Sequence, residues 1–294
     1  MSHIPVLLHE VIDGLRVHEG MFVIDGTVNG GGHAEAMLQK IGATGQLLGI
    51  DWDGDLIEAT RKRLGVSRNT RFVQGNYAET PDILHALKLS KADAMLLDIG
   101  LSSTQLEASG RGFSFMTKKA EPLAMTYDTT QTPVYELISK MREDEIAKVL
   151  YEFGEERFGK RIASAIYARE RRDPIATNYE LRDTVLAAVP KSYERGRIHP
   201  ATRTFQAFRI YANGELENLT SILGKVSQVL VSGGRMAIIS FHSLEDRIVK
   251  NGFRDMEKQG IAKVITKKPV IATEEEQRAN PRSRSAKLRI IELI

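Results

Sequence analysis

Met21–Asp51 reads MFVIDGTVNGGGHAEAMLQKIGATGQLLGID. Met21–Ile24 is short, apolar and β-prone, which predicts a buried strand. Asp25-Gly26-Thr27 closes it, Gly30, Gly31 and Gly32 follow, and Ala34–Ile41 has helical composition. A second apolar run, Gln46–Ile50, ends in Asp51. Strand, glycine turn, helix, strand, acid is the first half of a nucleotide-binding α/β fold. Glycines let a ligand approach the backbone, and an acid at the tip of the second strand accepts hydrogen bonds from ribose hydroxyls.

The glycine spacing departs from the dinucleotide pattern G-x-G-x-x-G, and no G-x-x-x-x-G-K-[ST] loop is present. A phosphate-cradling loop is therefore not expected. Asp25, just before the turn, is placed to meet a cationic group. S-adenosylmethionine has an amine, a sulfonium, a ribose and no phosphate, so it suits an acid beside a glycine turn better than NAD does.

The chain has 294 residues, which allows one large domain or a core with an insert, and 42% of them are hydrophobic. The net charge of +3 does not by itself establish a nucleic-acid partner. No uninterrupted apolar run approaches the roughly 18 residues of a membrane span. The opening MSHIPVLLHEVIDGL carries acids and no basic leader, so a cytoplasmic protein without membrane attachment is expected. There is no cysteine, which excludes disulfides, thiolate metal sites and a thiolate nucleophile; no metal is expected. Methylation of carbon 5 of a pyrimidine needs such a nucleophile. For a nucleic-acid methyltransferase, an exocyclic amine or a ribose hydroxyl is then the expected acceptor.

Taken in order, residues 1–19 are a lid or packing segment. Asp55–Leu64 predicts a helix ending in Arg61, Lys62 and Arg63. Thr70–Gln74 is a third strand followed by Gly75-Asn76-Tyr77, where Tyr77 is either a stacking partner for adenine or an ordinary half-buried tyrosine. Ala92–Leu97 is a fourth strand ending in Asp98, which either meets a ligand or caps a helix. The βα rhythm then stops, and helices are predicted over Val134–Met141, Glu143–Tyr151, Glu156–Arg172 and Tyr179–Val189. Lys191–Arg209 is basic with interleaved aromatics, a mixture that binds single-stranded RNA unless Phe205 and Phe208 are core residues. Leu216–Val231 predicts one amphipathic helix stopped by Ser232-Gly233-Gly234-Arg235. Met236–Ser240 is a fifth strand. A helix opens at Ser243 as N-cap, Ile261–Thr266 is a strand, and Ala286–Leu293 is the last.

These residues together resemble the bacterial small-subunit ribosomal RNA cytosine-N4 methyltransferase family, the MraW or RsmH group. The resemblance covers almost the whole chain. Its carriers are Pro5-Val6-Leu7-Leu8, Asp25-Gly26-Thr27 with Gly31-Gly32-His33, Asp98 through Gln105, Arg111-Gly112-Phe113-Ser114-Phe115, Gly154-Glu155-Glu156-Arg157-Phe158, His199 through Gln206, Ile239 through Arg247, and Asn280 through Ser285. It implies a class I (Rossmann-like) S-adenosylmethionine-dependent methyltransferase sheet whose last strand is antiparallel, with residues 1–106 and 203–294 as core and 107–202 as a helical insertion for substrate recognition. The implied cofactor contacts are Gly31, Gly32, His33, Asp51, Tyr77, Asp98 and Gln105. The implied substrate is a cytidine in the decoding region of 16S ribosomal RNA, within the small subunit. Arg203, His242, Arg282 and Arg284 are the expected contacts to RNA. His242 is also a candidate acceptor for the amine, unless it makes a structural hydrogen bond, and no catalytic base is assigned.

One segment departs from the family. Relatives read D-x-P-L-D-M-R-M after the Phe-Ser-Phe block, whereas this chain has Ala120-Glu121-Pro122-Leu123-Ala124-Met125-Thr126-Tyr127. An acid and a base are both absent. If they paired, losing both orphans no charge, but substrate placement is put in question. The alternatives are a nicotinamide oxidoreductase on the same sheet, and a non-catalytic RNA-binding or ribosome-assembly factor that keeps the cofactor fold.

Overall fold

The computed structural model describes residues 5–107, 109–193 and 198–294. The chain forms two compact units, Met1–Ser102 with Leu216–Ile294, and Ser103–Glu215. In chain order the first unit opens with α1 (Leu8–Gly14), β1 (Phe22–Asp25), α2 (Gly32–Ile41), β2 (Gln46–Asp51), α3 (Gly54–Leu64), β3 (Thr70–Gln74), α4 (Thr80–Ala86) and β4 (Ala92–Asp98). The second contains α5 (Ser103–Glu107), α6 (Val134–Lys140), α7 (Glu143–Gly154), α8 (Gly159–Glu170), α9 (Asn178–Ala188) and α10 (Thr202–Asn213). The first then resumes with α11 (Glu215–Leu223), α12 (Val226–Val229), β5 (Leu230–Ser240), α13 (Ser243–Lys258), β6 (Ala262–Val264), α14 (Glu274–Ala279) and β7 (Lys287–Leu293).

The first unit is built on a seven-stranded sheet in the order β3-β2-β1-β4-β5-β7-β6. β1 to β5 are parallel, and β7 runs antiparallel to both β5 and β6. This is the class I S-adenosylmethionine-dependent methyltransferase sheet that the resemblance implies. Alternate strand residues feed two cores, as a sheet covered on both faces requires. Val23, Leu47, Leu96 and Ile239 join the core of α1 and α2. Ile24, Leu48, Leu97 and Ile238 join that of α11 and α13. Residues 5–15 pack rather than cover a site: Leu7, Val11 and Leu15 are buried in the first of these cores.

Three local expectations are corrected. Leu216–Val231 is not one helix: α11 ends before Gly224, and β5 already begins at Leu230. Ser232-Gly233-Gly234-Arg235 is part of that strand, not a stop. Its pairing with β4 shifts register between Ala92 and Ala94, and Gly233 takes φ +78°, so the glycines form a bulge. The bulge seats Arg235, which is buried with Nε 2.8 Å from Glu292 Oε2 and donates to the Gly14 carbonyl at 2.6 Å. Finally, the N-cap of α13 is His242 rather than Ser243, in a reciprocal capping box with Glu245.

The second unit is helical. It extends past the expected boundary at 202, because α10 packs on α7: a Cβ on Gly154 would stand 2.8 Å from the Arg203 carbonyl oxygen. Phe205 and Phe208 are buried here, as is Tyr193, whose hydroxyl lies 2.7 and 2.8 Å from the two carboxylate oxygens of Glu156. The described aromatics of Lys191–Arg209 are therefore core residues and offer no stacking surface; residues 194–197 lie outside the described residues. The divergent loop is held by buried side chains and backbone hydrogen bonds. Leu123 and Met125 are fully buried, and backbone bonds join Leu123 N to Ala176 O, Met125 N to Arg111 O and Val134 N to Ala124 O. Among the described residues no helix is long and apolar enough to cross a membrane.

Candidate cofactor site

The strand order of the first unit reverses between β1 and β4, since β1, β2 and β3 step one way and β4 and β5 the other. Ligands of open α/β sheets bind at the carboxyl ends of strands flanking such a reversal. Here those ends are acidic: Asp25 closes β1, Asp98 closes β4 and Asp51 closes the neighbouring β2.

Asp25 has no solvent exposure. Its Oδ1 accepts the Thr27 N–H at 3.2 Å, while Oδ2 has no hydrogen-bond partner among the described residues. Burial drives its pKa well above the carboxylate range, and the charges of Asp98 and Asp51 push the same way against the Thr27 N–H. Asp98 Oδ1 is likewise buried without a partner. Burial raises Asp98 to about 7, with the Gly100 N–H opposing and Glu245 adding to the rise. His33, on the first turn of α2, places Nε2 2.9 Å from the Val6 carbonyl oxygen and Nδ1 3.6 Å from Asp98 Oδ2. The carbonyl can only accept, so Nε2 carries a proton.

The glycine turn fits closely around these acids. Gly31 sits at φ +76°, and a Cβ there would stand 3.0 Å from Thr60 Cγ2. Gly26 lets β1 pass Leu97 and Tyr77, whose nearest atoms would lie 2.5 and 3.3 Å from an added Cβ. Tyr77 is half-buried on the loop after β3. Gly32 opens α2, and Pro5 fills the space beside its Cα. Asn29, which the sequence reading missed, ties the turn together. Its N–H donates to Asp51 Oδ2 at 2.8 Å and its amide to the Asp98 carbonyl at 3.2 Å. Its φ of 49° is one that asparagine tolerates better than most residues, and that is the signal the sequence offered. Asp51 Oδ1 accepts the Asp53 N–H at 2.9 Å, which fixes the carboxylate at the strand tip.

The other expected contacts are dispersed. Gln105 belongs to the second unit, where its side chain is buried on α5. Arg203, also in that unit, donates from Nη1 to the Glu155 carbonyl at 3.2 Å, at the C-terminus of α7. In the first unit, His242 Nδ1 faces the Glu245 N–H at 3.4 Å and Nε2 lies 2.9 Å from Glu245 Oε1. Nδ1 thus has the structural role of helix cap, while Nε2, though close to that carboxylate, has no hydrogen-bond partner among the described residues. Arg282 and Arg284 lie in a 3-10 turn, Pro281–Ser285, directly before β7. Lys287 pairs with Ser240, the last residue of β5, so this turn stands at the carboxyl edge of the parallel strands.

Three buried acids with two unpartnered carboxylate oxygens call for a positively charged ligand and repel a phosphate. A sulfonium-and-ammonium ligand such as S-adenosylmethionine meets that demand, and a dinucleotide does not. The MraW methylase family model matches residues 1–294. The chain belongs to the MraW methylase family. It is an S-adenosylmethionine-dependent methyltransferase. Among similar curated proteins, the ribosomal RNA small subunit methyltransferase H of Syntrophus aciditrophicus is 43% identical over 309 residues, covering 99% of this chain and 98% of its own. That of Nostoc punctiforme is 45% identical over 293 residues, covering 99% and 94%. A solved structure of Aeropyrum pernix fibrillarin with bound S-adenosyl-L-methionine aligns with TM-score 0.44 and 11% identity, covering 97% of this chain and 73% of its own. This family member keeps its glycine turn and acids in one place, while Gln105 and Arg203 are carried by the helical unit.

Proposed function

We propose that the protein transfers a methyl group from S-adenosylmethionine to the exocyclic N4 amine of a cytidine in the decoding region of 16S ribosomal RNA, on the small subunit, in the cytoplasm. The observation that carries this reading is the near-full-length likeness to proteins named ribosomal RNA small subunit methyltransferase H. The acid cluster at the strand reversal supports the cationic donor. The absence of cysteine supports an amine over carbon 5.

In this reading Gly31 and Gly32 border the cofactor, Asp51 accepts its ribose hydroxyls and Tyr77 lies beside its adenine. Asp98, with His33 behind it, and Asp25 face its cationic end. The helical unit recognises substrate and contributes Arg203 as a contact to RNA, while His242, Arg282 and Arg284 are RNA contacts of the first unit.

The donor supplies an electrophilic methyl group when bound. Cytosine's amine is a weak nucleophile, because its lone pair is delocalised into the ring. The chain therefore has to hold and align it, and positioning alone is worth about 7–11 kcal/mol in favourable cases. His242 caps α13 through Nδ1, and no general base is assigned. The proton lost on methylation passes to solvent.

The test is mass spectrometry of ribosomal RNA nucleosides after incubating small subunits with enzyme and cofactor. N4-methylcytidine is the expected product. Recovery of 5-methylcytidine, or of a ribose-methylated nucleoside alone, overturns the assignment. No product at all favours an assembly factor.

A further inference from the structure

A cleft of about 380 Å³ opens between α13 and the β6–β7 edge of the first unit. It is lined by Lys250 and Arg254 of α13, Lys267 after β6, Arg289 of β7, Thr266 and a single carboxylate, Glu257. Glu257 is engaged, since Oε1 accepts the Val264 N–H at 2.9 Å. Arg289 is neutralised by Asp246, with Nε 2.7 Å from Oδ1. Lys250, Arg254 and Lys267 are exposed, and none is ion-paired among the described residues. On α13, Arg247, Lys250 and Arg254 follow one another at i, i+3 and i+7. They form one cationic stripe, while Val249, Phe253 and Met256 are buried.

The sheet topology says where this cleft faces. β5 and β6 are both antiparallel to β7, so they point the same way. Thr266 Oγ1 accepts the Ile290 N–H at 2.8 Å, and Ile290 pairs with Ala237, short of the end of β5 at Ser240. The cleft therefore flanks the sheet at its β6 edge, on the rung that runs through Ala237 and Leu96 to Asp25 at the end of β1. β1 and β6 are four strand spacings apart, or roughly 19 Å. Phe253 is 1% exposed, so the cleft offers charge without a stacking face.

We propose that this cleft seats backbone phosphates of the substrate RNA, holding the strand beside the cofactor site without reading its sequence. Charge selects the occupant: three free cations in one concavity suit phosphate, whereas the missing aromatic surface leaves bases unrecognised. The inference rests on the RNA-methylating reading and names where the same substrate is held.

The experiment uses the full chain with Lys250→Gln/Arg254→Gln/Lys267→Gln substitutions, and a second variant, Lys250→Arg/Arg254→Lys/Lys267→Arg, that keeps the charges. Two labelled RNAs, one of decoding-region sequence and one scrambled, are titrated at several KCl concentrations. The neutral variant is expected to lose roughly 0.7–0.9 of salt slope for each phosphate it no longer neutralises, equally on both RNAs. Its melting temperature and S-adenosylmethionine affinity stay at wild-type values, and the charge-keeping variant retains the wild-type slope. An unchanged slope overturns the proposal, as does a slope loss accompanied by a fall in melting temperature and cofactor affinity. Methyl transfer by the wild-type protein is read separately. A wild type that binds with full slope but transfers nothing defeats the activity reading, while the slope comparison still decides the cleft.

Discussion

His33 Nδ1 and Asp98 Oδ2 stand 3.6 Å apart inside the first unit, with His33 anchored through Nε2 to the carbonyl of Val6. The two residues come from opposite sides of the strand reversal, one after β1 and one at the tip of β4. Asp98 Oδ1 is buried and bare. Burial raises this acid to about 7, so it is half-protonated near neutrality.

The part of cofactor affinity that depends on Asp98 should consequently rise with pH and level off above about 7, which an Asp25→Asn background isolates. The sign follows from linkage. The folded apo protein holds a proton on Asp98 between the ordinary carboxylate range and about 7, so its stability falls as pH rises through that window. A cationic ligand prefers the ionised carboxylate, so binding releases the proton, and affinity climbs by at most about tenfold per pH unit from this one group. Calorimetry in two buffers of different ionisation enthalpy should detect proton release near pH 6 that vanishes well above 7. Binding that is independent of pH would place the cation elsewhere.

Asp25→Asn should separate stability from binding. The wild-type carboxyl is buried, its pKa is raised, and the charges of Asp98 and Asp51 oppose its ionisation. Apo wild type therefore loses stability on the alkaline side, and the neutral amide does not. The variant's apo melting temperature should exceed wild type's at alkaline pH, with the gap closing toward acid. Its S-adenosylmethionine affinity should fall at least tenfold. A variant that melts lower at every pH would show that the acid is structural.

Asp51→Ala should weaken cofactor binding by roughly 1–3 kcal/mol, the scale of hydrogen bonds to a charged group. It also orphans the N–H groups of Asn29 and Asp53, so apo stability should drop. Asp51→Asn keeps one carbonyl oxygen as an acceptor and is expected to lose less stability than Asp51→Ala. Titration calorimetry alongside apo melting separates the two effects, and unchanged affinity in both variants would remove Asp51 from the site.

The sheet was legible because its strands are short apolar runs ended by Asp25, Asp51 and Asp98, and buried strands demand that pattern. What escaped was set by partners distant in sequence. Ser232–Arg235 looks like a helix stop by composition. It is a bulged strand because Arg235 finds Glu292 and the carbonyl of Gly14, 57 and 221 residues away. His242 caps α13 because Glu245 lies at the third position of that helix, whereas composition favours the serine after it. Asn29 reads as one polar turn residue among glycines, yet it links the tips of β2 and β4. The basic, aromatic stretch around Phe205 was ambiguous in sequence, because burial of an aromatic depends on the α7 surface it meets.

The turn before β7 gives the last prediction. Arg284 is exposed and Arg282 half-buried in a segment capped by Asn280, whose Oδ1 accepts the Arg282 N–H at 3.3 Å. Ser283 is buried beneath them and donates to the Asn280 carbonyl at 2.8 Å. The turn is thus held by Asn280 and Ser283, not by the guanidinium of Arg284, so removing that charge should leave the fold intact. Arg284→Ala should lower the salt slope of RNA binding by roughly 0.7–0.9 if one phosphate is left without its cation, with melting temperature and cofactor affinity near wild type. Asn280→Ala should instead destabilise by about 1 kcal/mol through loss of the cap. Salt titrations and melting curves for both variants decide the matter. If the Arg284 variant keeps the wild-type slope but melts lower, that arginine bridges elements of the protein and does not touch RNA.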